Sequence, residues 1–483
     1  MIPPISINDL LSIGPEIALT TVAIVLLVLD FLMPPGRRAV VGYTGLVGVG
    51  ATFVVLIVSS RSHFDTFGGM YLSDPFTSFF KVVFLLIAAL IILISFGYLE
   101  IEGIDKGEYY SLVLFATVGM MVMAGSGDLI SLYIGLETMS ISIYILAGFL
   151  KKDRRSNEAA LKYLLMGAFS SGILLYGMAL LYGLTATMNL KEISRALASQ
   201  DFSNPALTLA MILLAAGFGF KIATVPFHMY LPDAYEGAPT SVTAFMSVGP
   251  KVAGFAVLLR VFLIAIPFLQ TSWTQLFYVL SALTMTAGNV VAIAQKNIKR
   301  MLAYSSIAHV GYLLIGLVAG STLGISAILL YLLAYVLMNI GAFAIVILLC
   351  QGEIKGDQIE DFSGLARKSP LAAAAMLVFL LSLAGIPPTA GFVAKFYVFG
   401  AAIKSGYVWL AVIAVVNTAI SLFYYMRVAM VMYMREESSP ILALSPSRPL
   451  HWAVAITILG IFIIGIYPGP FLEWAKSSLT GLL

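Results

Sequence analysis

Residues 221–239, KIATVPFHMYLPDAYEGAP, and residues 383–396, LAGIPPTAGFVAKF, decide how this chain is built. Each joins an apolar stretch to a cluster of helix breakers, and each carries one lysine: Lys221 before Pro226 and Pro232, Lys395 after Gly385, Pro387 and Pro388. Proline inside a helix removes a hydrogen bond and clashes with the preceding turn. In a bilayer such a break is tolerated only where the freed backbone lines protein or a water-filled cavity. Broken helices at corresponding positions of two halves point to a transport path.

Working outward, the 483 residues are 60% hydrophobic and 11% charged, against about 25% charged in soluble domains. That excludes a soluble enzyme. A net charge of +3 gives no reason to expect a nucleic-acid partner, and the lone Cys350 can make neither an internal disulfide nor an iron–sulfur cluster. The chain shows no cofactor motif. A bilayer needs about 20 apolar residues per helix, and fourteen such stretches lie near 11–32, 39–60, 76–99, 109–125, 128–150, 158–184, 204–226, 239–262, 273–294, 302–320, 323–350, 371–400, 406–434 and 450–468. The expected fold is an all-α polytopic membrane protein, a single membrane domain over 1–483. The first stretch lacks a basic leader and a small-residue cleavage site, so it reads as a retained span.

The loops of one side hold fifteen Lys and Arg, among them Arg37, Arg38, the KKDRR run at 151–155, Arg300 and Lys355. The other side holds five: Arg61, Lys191, Arg195, Lys404 and Lys476. The richer side is then cytoplasmic, with both termini facing outward. The broken seventh and twelfth spans are five helices apart, and a five-helix unit repeated in tandem must insert upside down the second time. Spans 1–3 (1–108) would precede a first repeat (spans 4–8, 109–262) and a second (spans 9–13, 273–434), followed by the last span (450–468). The two lysines do not match in register across this repeat.

Seven basic residues remain inside spans. Lys81, Arg260 and Arg427 lie near span ends and are expected to snorkel to the interface. Lys162, Lys221, Lys251 and Lys395, with Glu137, lie deeper. Each charge at the bilayer centre costs about 2.5–3.5 kcal/mol on insertion scales, so five must be paired, neutral or hydrated, as a proton relay requires. Making or breaking a Glu–Lys pair at about 4 Å and an effective dielectric near 20 is worth about 4 kcal/mol, enough to load and unload a proton. The competing reading is a static salt bridge between helices, or, for Lys162, an intrahelical pair with Glu158. Ser305, His309 and Tyr312 share one face of the tenth span, as a proton-passing face or an ordinary interhelical contact. His228 sits at the seventh-span break, either lining a cytoplasmic inlet with Asp233 and Glu236 or forming a polar turn.

The segments GLETMSISIYILAGF (135–149), NEAALKYLLMGAFSSGILLYG (157–177), GFKIATVPFHMYLPDAYEGAPT (219–240), KRMLAYSSIAHVGYLLIG (299–316) and AGIPPTAGFVAKFYVF (384–399) resemble the antiporter-like membrane subunits of NADH–quinone oxidoreductase (respiratory complex I, NDH-1). Within that family the pattern is most similar to the N-type. Lys251 stands where L- and M-types tend to have histidine, Lys395 where the M-type has glutamate, and the long lateral helix of the L-type does not follow span 14. The resemblance implies a proton-translocating, non-redox subunit in which Glu137 tunes Lys221, the axis continues through Lys251 and Lys162, and Lys395 releases outward. It also implies other complex I membrane subunits as partners, neighbouring antiporter-like subunits included. NADH, FMN, iron–sulfur clusters and quinone would belong to partner subunits, with no cofactor or metal in this chain. The alternatives are a subunit of a multi-subunit cation/proton antiporter, or a structural subunit whose charges only lock helices.

Overall fold

Long apolar runs, capped by Ser, Asp or Asn and opened by prolines at first-turn positions, make nearly every described residue helical. The computed structural model describes residues 6–34, 39–59, 64–104, 106–198, 204–350, 356–436 and 447–482; Arg37, Arg38, Arg61 and Lys355 of the loop-charge pattern lie outside them. Spans 1–7 are Gly14–Leu32, Ala39–Ser59, Pro75–Ser95, Glu108–Gly125, Leu129–Ala147, Arg154–Thr185 and Pro205–Ile222. Spans 8–11 are Thr240–Arg260, Gln270–Ile293, Ile298–Ala319 and Thr322–Leu349. Span 12 is two half-helices, Pro370–Ala384 and Ala390–Lys404, and spans 13 and 14 are Val408–Met434 and Arg448–Ile466. Thirteen of the described helices are each long and apolar enough to cross a bilayer, and the halved span 12 supplies the fourteenth crossing. A short hairpin, Phe64–Thr66 with Tyr71–Ser73, joins spans 2 and 3.

Both breaks fall where the prolines put them. Span 7 ends at Ala223 in left-handed conformation (φ 62°), unwinds through Pro226, and resumes as the short helix Leu231–Gly237. Span 12 ends at Gly385 (φ 86°), where glycine meets no steric cost, and resumes after Pro387–Pro388. Span 8 contains Pro250 without ending there. The carbonyl that proline leaves unpaired, that of Met246, accepts the Tyr235 hydroxyl at 3.2 Å.

The repeat has a measurable register. Isolated backbone bridges join Asp128 to Asn189 and Asn297 to Gln358, so each pair is 61 residues apart (189 − 128 and 358 − 297) and the second is displaced from the first by 169 (297 − 128). Asp128 and Asn297 each cap the following helix, accepting from Ser131 N and Arg300 N. The same displacement carries Gly119 onto Gly288. A Cβ on Gly119 would lie 2.5 Å from Met139 N and 2.7 Å from Gly135 O; one on Gly288 would lie 2.7 Å from Ala308 N and 2.9 Å from Tyr304 O. Spans 4 and 5, like spans 9 and 10, therefore touch backbone to backbone, as small residues permit. Spans 8, 10 and 11 are buried along nearly their whole length, while spans 1, 2, 6, 13 and 14 turn apolar faces outward.

Candidate functional site

Lys221 lies in the last turn of span 7's helix, just before the break, and is buried. Its Nζ donates to Ser140 Oγ at 3.0 Å on span 5. Glu137, one turn from Ser140, is within Coulombic range of Lys221, but among the ion pairs of the described residues none joins them. Glu137 Oε1 is buried without a hydrogen-bond partner. The expected Glu137–Lys221 pair is thus open in this structure: Lys221 donates to Ser140, whose own hydroxyl donates to Leu136 O.

Lys395 lies in the second turn after its break and reaches back across it. Its Nζ donates to Leu383 O and Ala384 O, each at 3.0 Å, and sits 4.8 Å above the Tyr312 ring. Those carbonyls end the first half-helix, where the helix dipole is negative and favours a cation. The mismatch in sequence therefore disappears in space: both ammonium groups sit at the C-terminal end of a half-helix, one attached to it and one folded back onto it.

Between them lies Lys251, one residue past Pro250 and buried, donating to Ser306 Oγ. Ser306 also accepts the Tyr335 hydroxyl at 2.8 Å, and Asn339 Nδ2 donates to Tyr335 at 2.7 Å. His309, one turn on, bonds through Nδ1 to the Tyr331 hydroxyl at 2.7 Å and through Nε2 to that of Tyr425 at 3.3 Å; Tyr425 in turn meets Ser305 Oγ at 2.5 Å. Tyr312 accepts from Asn289 Nδ2 at 2.9 Å, and Asn289 Oδ1 accepts from Tyr424. His309 is within Coulombic range of both Lys251 and Lys395. The face Ser305–His309–Tyr312 is thus a satisfied polar contact laid along the line between two lysines. The 169-residue register places Ser306 at the position of Glu137 and His309 at that of Ser140.

Lys162 is placed elsewhere. Its side chain is 42% exposed and pairs at 2.8 Å with Glu158 on its own helix and with Asp233 on the short helix after the break. Arg300 pairs at 2.8 Å with both Asp233 and Glu236, and Lys299 donates to Ala238 O at 2.9 Å. Burial pushes the Asp233 carboxyl up, but its bonds to Lys162 and Arg300 outweigh that and hold it below the ordinary range. Glu158, Lys162, Asp233 and Glu236, with Arg155, line a basin of about 200 Å³. His228 is half-buried in the break and outside the basin's lining, its Nδ1 unpartnered. No group of three or more His, Cys, Asp or Glu that could hold a metal occurs among the described residues.

The snorkelling expected of Lys81 and Arg260 is overturned. Lys81 is 2% exposed and pairs with Glu16 at 2.9 Å; Glu16 also accepts the Tyr71 hydroxyl. Arg260 is fully buried, donating to Asp74 Oδ1 at 2.8 Å, Thr77 Oγ1 at 2.6 Å and Ala124 O at 2.7 Å. Together they bind spans 1 and 3 to spans 4 and 8. Arg427 keeps partly to the surface and donates to the carbonyls of Ile293 and Gln295.

The family described as NADH:quinone oxidoreductase/Mrp antiporter, TM, matches residues 126–421. NADH-quinone oxidoreductase subunit N of Trichlorobacter lovleyi is 45% identical over 97% of this chain and 96% of its own, and subunit N 2 of Rhizobium meliloti is 48% identical over 97% of each. A chain of respiratory complex I from Thermus thermophilus superposes with a TM-score of 0.80 at 34% identity, covering 95% of this chain and 98% of that one. A chain of the Mrp complex from Dietzia shares the fold, with a TM-score of 0.85 at 21% identity over 99% and 98% of the two chains. With lysines at both half-helix ends, a third beside a mid-helix proline, and full-length likeness to these subunits, the chain belongs to the NADH-quinone oxidoreductase subunit N family of antiporter-like membrane proteins.

Proposed function

We propose that this chain is the proton-translocating, non-redox subunit N of a bacterial complex I. Other membrane subunits, neighbouring antiporter-like ones included, flank it in the inner membrane, and NADH, FMN, iron–sulfur clusters and quinone reside in its partners. Both termini face the periplasm, and spans 1–3, the two repeats and the last span form one membrane domain. The observation that carries this reading is the set of buried groups Lys221, Lys251, His309 and Lys395, in which each lysine sits near a helix break or a mid-helix proline and the first two donate to serine hydroxyls.

The mechanism is electrostatic. A displacement arriving from a neighbouring subunit changes the separation of Glu137 and Lys221, which are not paired here. Closing it to about 4 Å at an effective dielectric near 20 would bring the interaction to about 4 kcal/mol, which sets whether Lys221 keeps its proton. The shift passes through Lys251, Ser306 and the His309 cluster to Lys395, which releases outward. Lys162, in the basin, and His228, at the break, belong to the cytoplasmic approach. The cation-antiporter alternative has the shared fold and the joint description of the matched family in its favour, whereas the full-length relatives above at 45–48% identity are subunit N proteins.

The test is Lys221→Ala in inside-out vesicles, with assembly checked by native gel and NADH–quinone turnover recorded together with acidification. Assembly with both signals reduced supports a coupled proton path. Assembly with both unchanged makes Lys221 structural and removes the site.

A further inference from the structure

Between the cytoplasmic basin and Lys221 stands a partition of rings. Tyr163 and Tyr230 stack with centroids 5.0 Å apart, Phe220 and Tyr230 at 4.2 Å, and Tyr144 meets Tyr163 edge-on at 4.8 Å. Tyr163 follows Lys162 of the basin on span 6, and Lys221 Nζ lies 6.0 Å from the Phe220 ring centroid, so this chain of rings runs from the basin's helix to Lys221. The Tyr230 hydroxyl is committed to Phe220 O at 3.0 Å. That of Tyr144 is not: the residue is 7% exposed, and its oxygen is buried with no hydrogen-bond partner.

An unpaired buried hydroxyl costs about 1–3 kcal/mol, which phenylalanine at this position would avoid. Span 6 leaves room for it: a Cβ on Gly167 would fall 2.0 Å from the Tyr144 oxygen. On its own helix Tyr144 lies one turn from Ser140, the partner of Lys221, and two from Glu137, whose Oε1 is likewise unpartnered.

We propose that the Tyr144 hydroxyl relays protons across this partition, from the Lys162–Asp233 basin to Lys221, in a space that Gly167 keeps open. The oxygen takes a proton on the basin side while its own O–H proton leaves toward Ser140 and Lys221, so the phenol ends unchanged and no charge stays on it. The proposal rests on the proton-translocation reading above.

Tyr144→Phe removes only the oxygen. In the assembled complex, turnover and acidification are expected to fall together on the order of tenfold or more, as for a positioned proton-transfer group, with an increased solvent deuterium isotope effect. Gly167→Ala, whose methyl occupies the hydroxyl's place, should give the same loss, and the double variant should be no worse than the more impaired single one. Wild-type turnover and isotope effect in Tyr144→Phe, with Lys221→Ala impaired, would overturn the relay and leave translocation standing. If Lys221→Ala is also unimpaired, translocation itself fails. Should Tyr144→Phe not assemble, Gly167→Ala decides: wild-type turnover in it overturns the relay.

Discussion

Replacing Arg260 by Met tests whether the ion pair at the C-terminal end of span 8 holds the first three spans to the repeat. Arg260 makes three hydrogen bonds, to Ala124 O, Asp74 Oδ1 and Thr77 Oγ1, from a fully buried position. Methionine fills much of the same volume but leaves the Asp74 carboxylate, itself only 17% exposed, facing apolar neighbours. Removing one partner of a buried pair costs about 3–5 kcal/mol, whereas replacing both by uncharged groups is often close to neutral. Asp74 also caps span 3, accepting from Thr77 N at 2.7 Å. Asp74→Asn keeps a cap acceptor while removing the charge.

One kcal/mol moves the melting midpoint by about 2–4 °C in domains of 150–250 residues, and by less in a larger chain. Arg260→Met should therefore lower the midpoint on the order of 5 °C. The assay is thermal unfolding of the purified complex in detergent at a fixed scan rate, with limited proteolysis between spans 3 and 4 as a local readout. The double variant Arg260→Met/Asp74→Asn should recover most of the loss. An Arg260→Met complex that melts with the wild type, or a double variant showing the sum of the single losses, would refute the reasoning.

The same site predicts a pH effect. Burial raises the Asp74 carboxyl, but the Arg260 charge and hydrogen bond hold it below the ordinary range, so its contribution is full above the unfolded value of about 3.9 and is lost as pH falls through the folded one. The stability gap between wild type and Asp74→Asn should be constant near neutrality and narrow in acid, as melting across pH will show. Gly385→Ala should cost about 1 kcal/mol for its φ of 86° and crowd the Lys395 stem, whose Cδ lies 2.9 Å from the new Cβ; the assembled variant should lose turnover. Ser306→Ala, which takes the partner of Lys251, should lower coupled turnover in vesicles while leaving assembly intact on a native gel.

The spans and both breaks were legible because apolar length and proline act locally. The placement of Lys221, Lys251 and Lys395 in a buried line follows from the same local facts plus the cost of burying charge. Lys81 and Arg260 were misread because nothing local distinguishes a terminal lysine that snorkels from one that is paired: Glu16 is 65 residues from Lys81, and Asp74 is 186 from Arg260. Lys162 was placed too deep because its helix runs 32 residues, longer than a bilayer crossing needs. Apolarity could not tell which spans are central, since a lipid-facing helix and a core helix look alike; spans 1 and 11 have mean hydropathies of 2.1 and 2.5, yet only span 11 is enclosed. The correspondence of Lys221 with Lys395 was hidden because one side chain reaches back over its break.

The close contacts at Gly119 and Gly288 have a mechanical consequence. Helices whose backbones touch have no side-chain layer to shear through, so spans 4 and 5, and likewise 9 and 10, behave as stiff struts. The compliance of each half is concentrated in the few unwound residues 223–230 and 385–389, which lack a continuous hydrogen-bond ladder. A push of an ångström at the flank of the molecule is not shared evenly along its length but collects at these two soft links, and the ammonium groups of Lys221 and Lys395 stand on them.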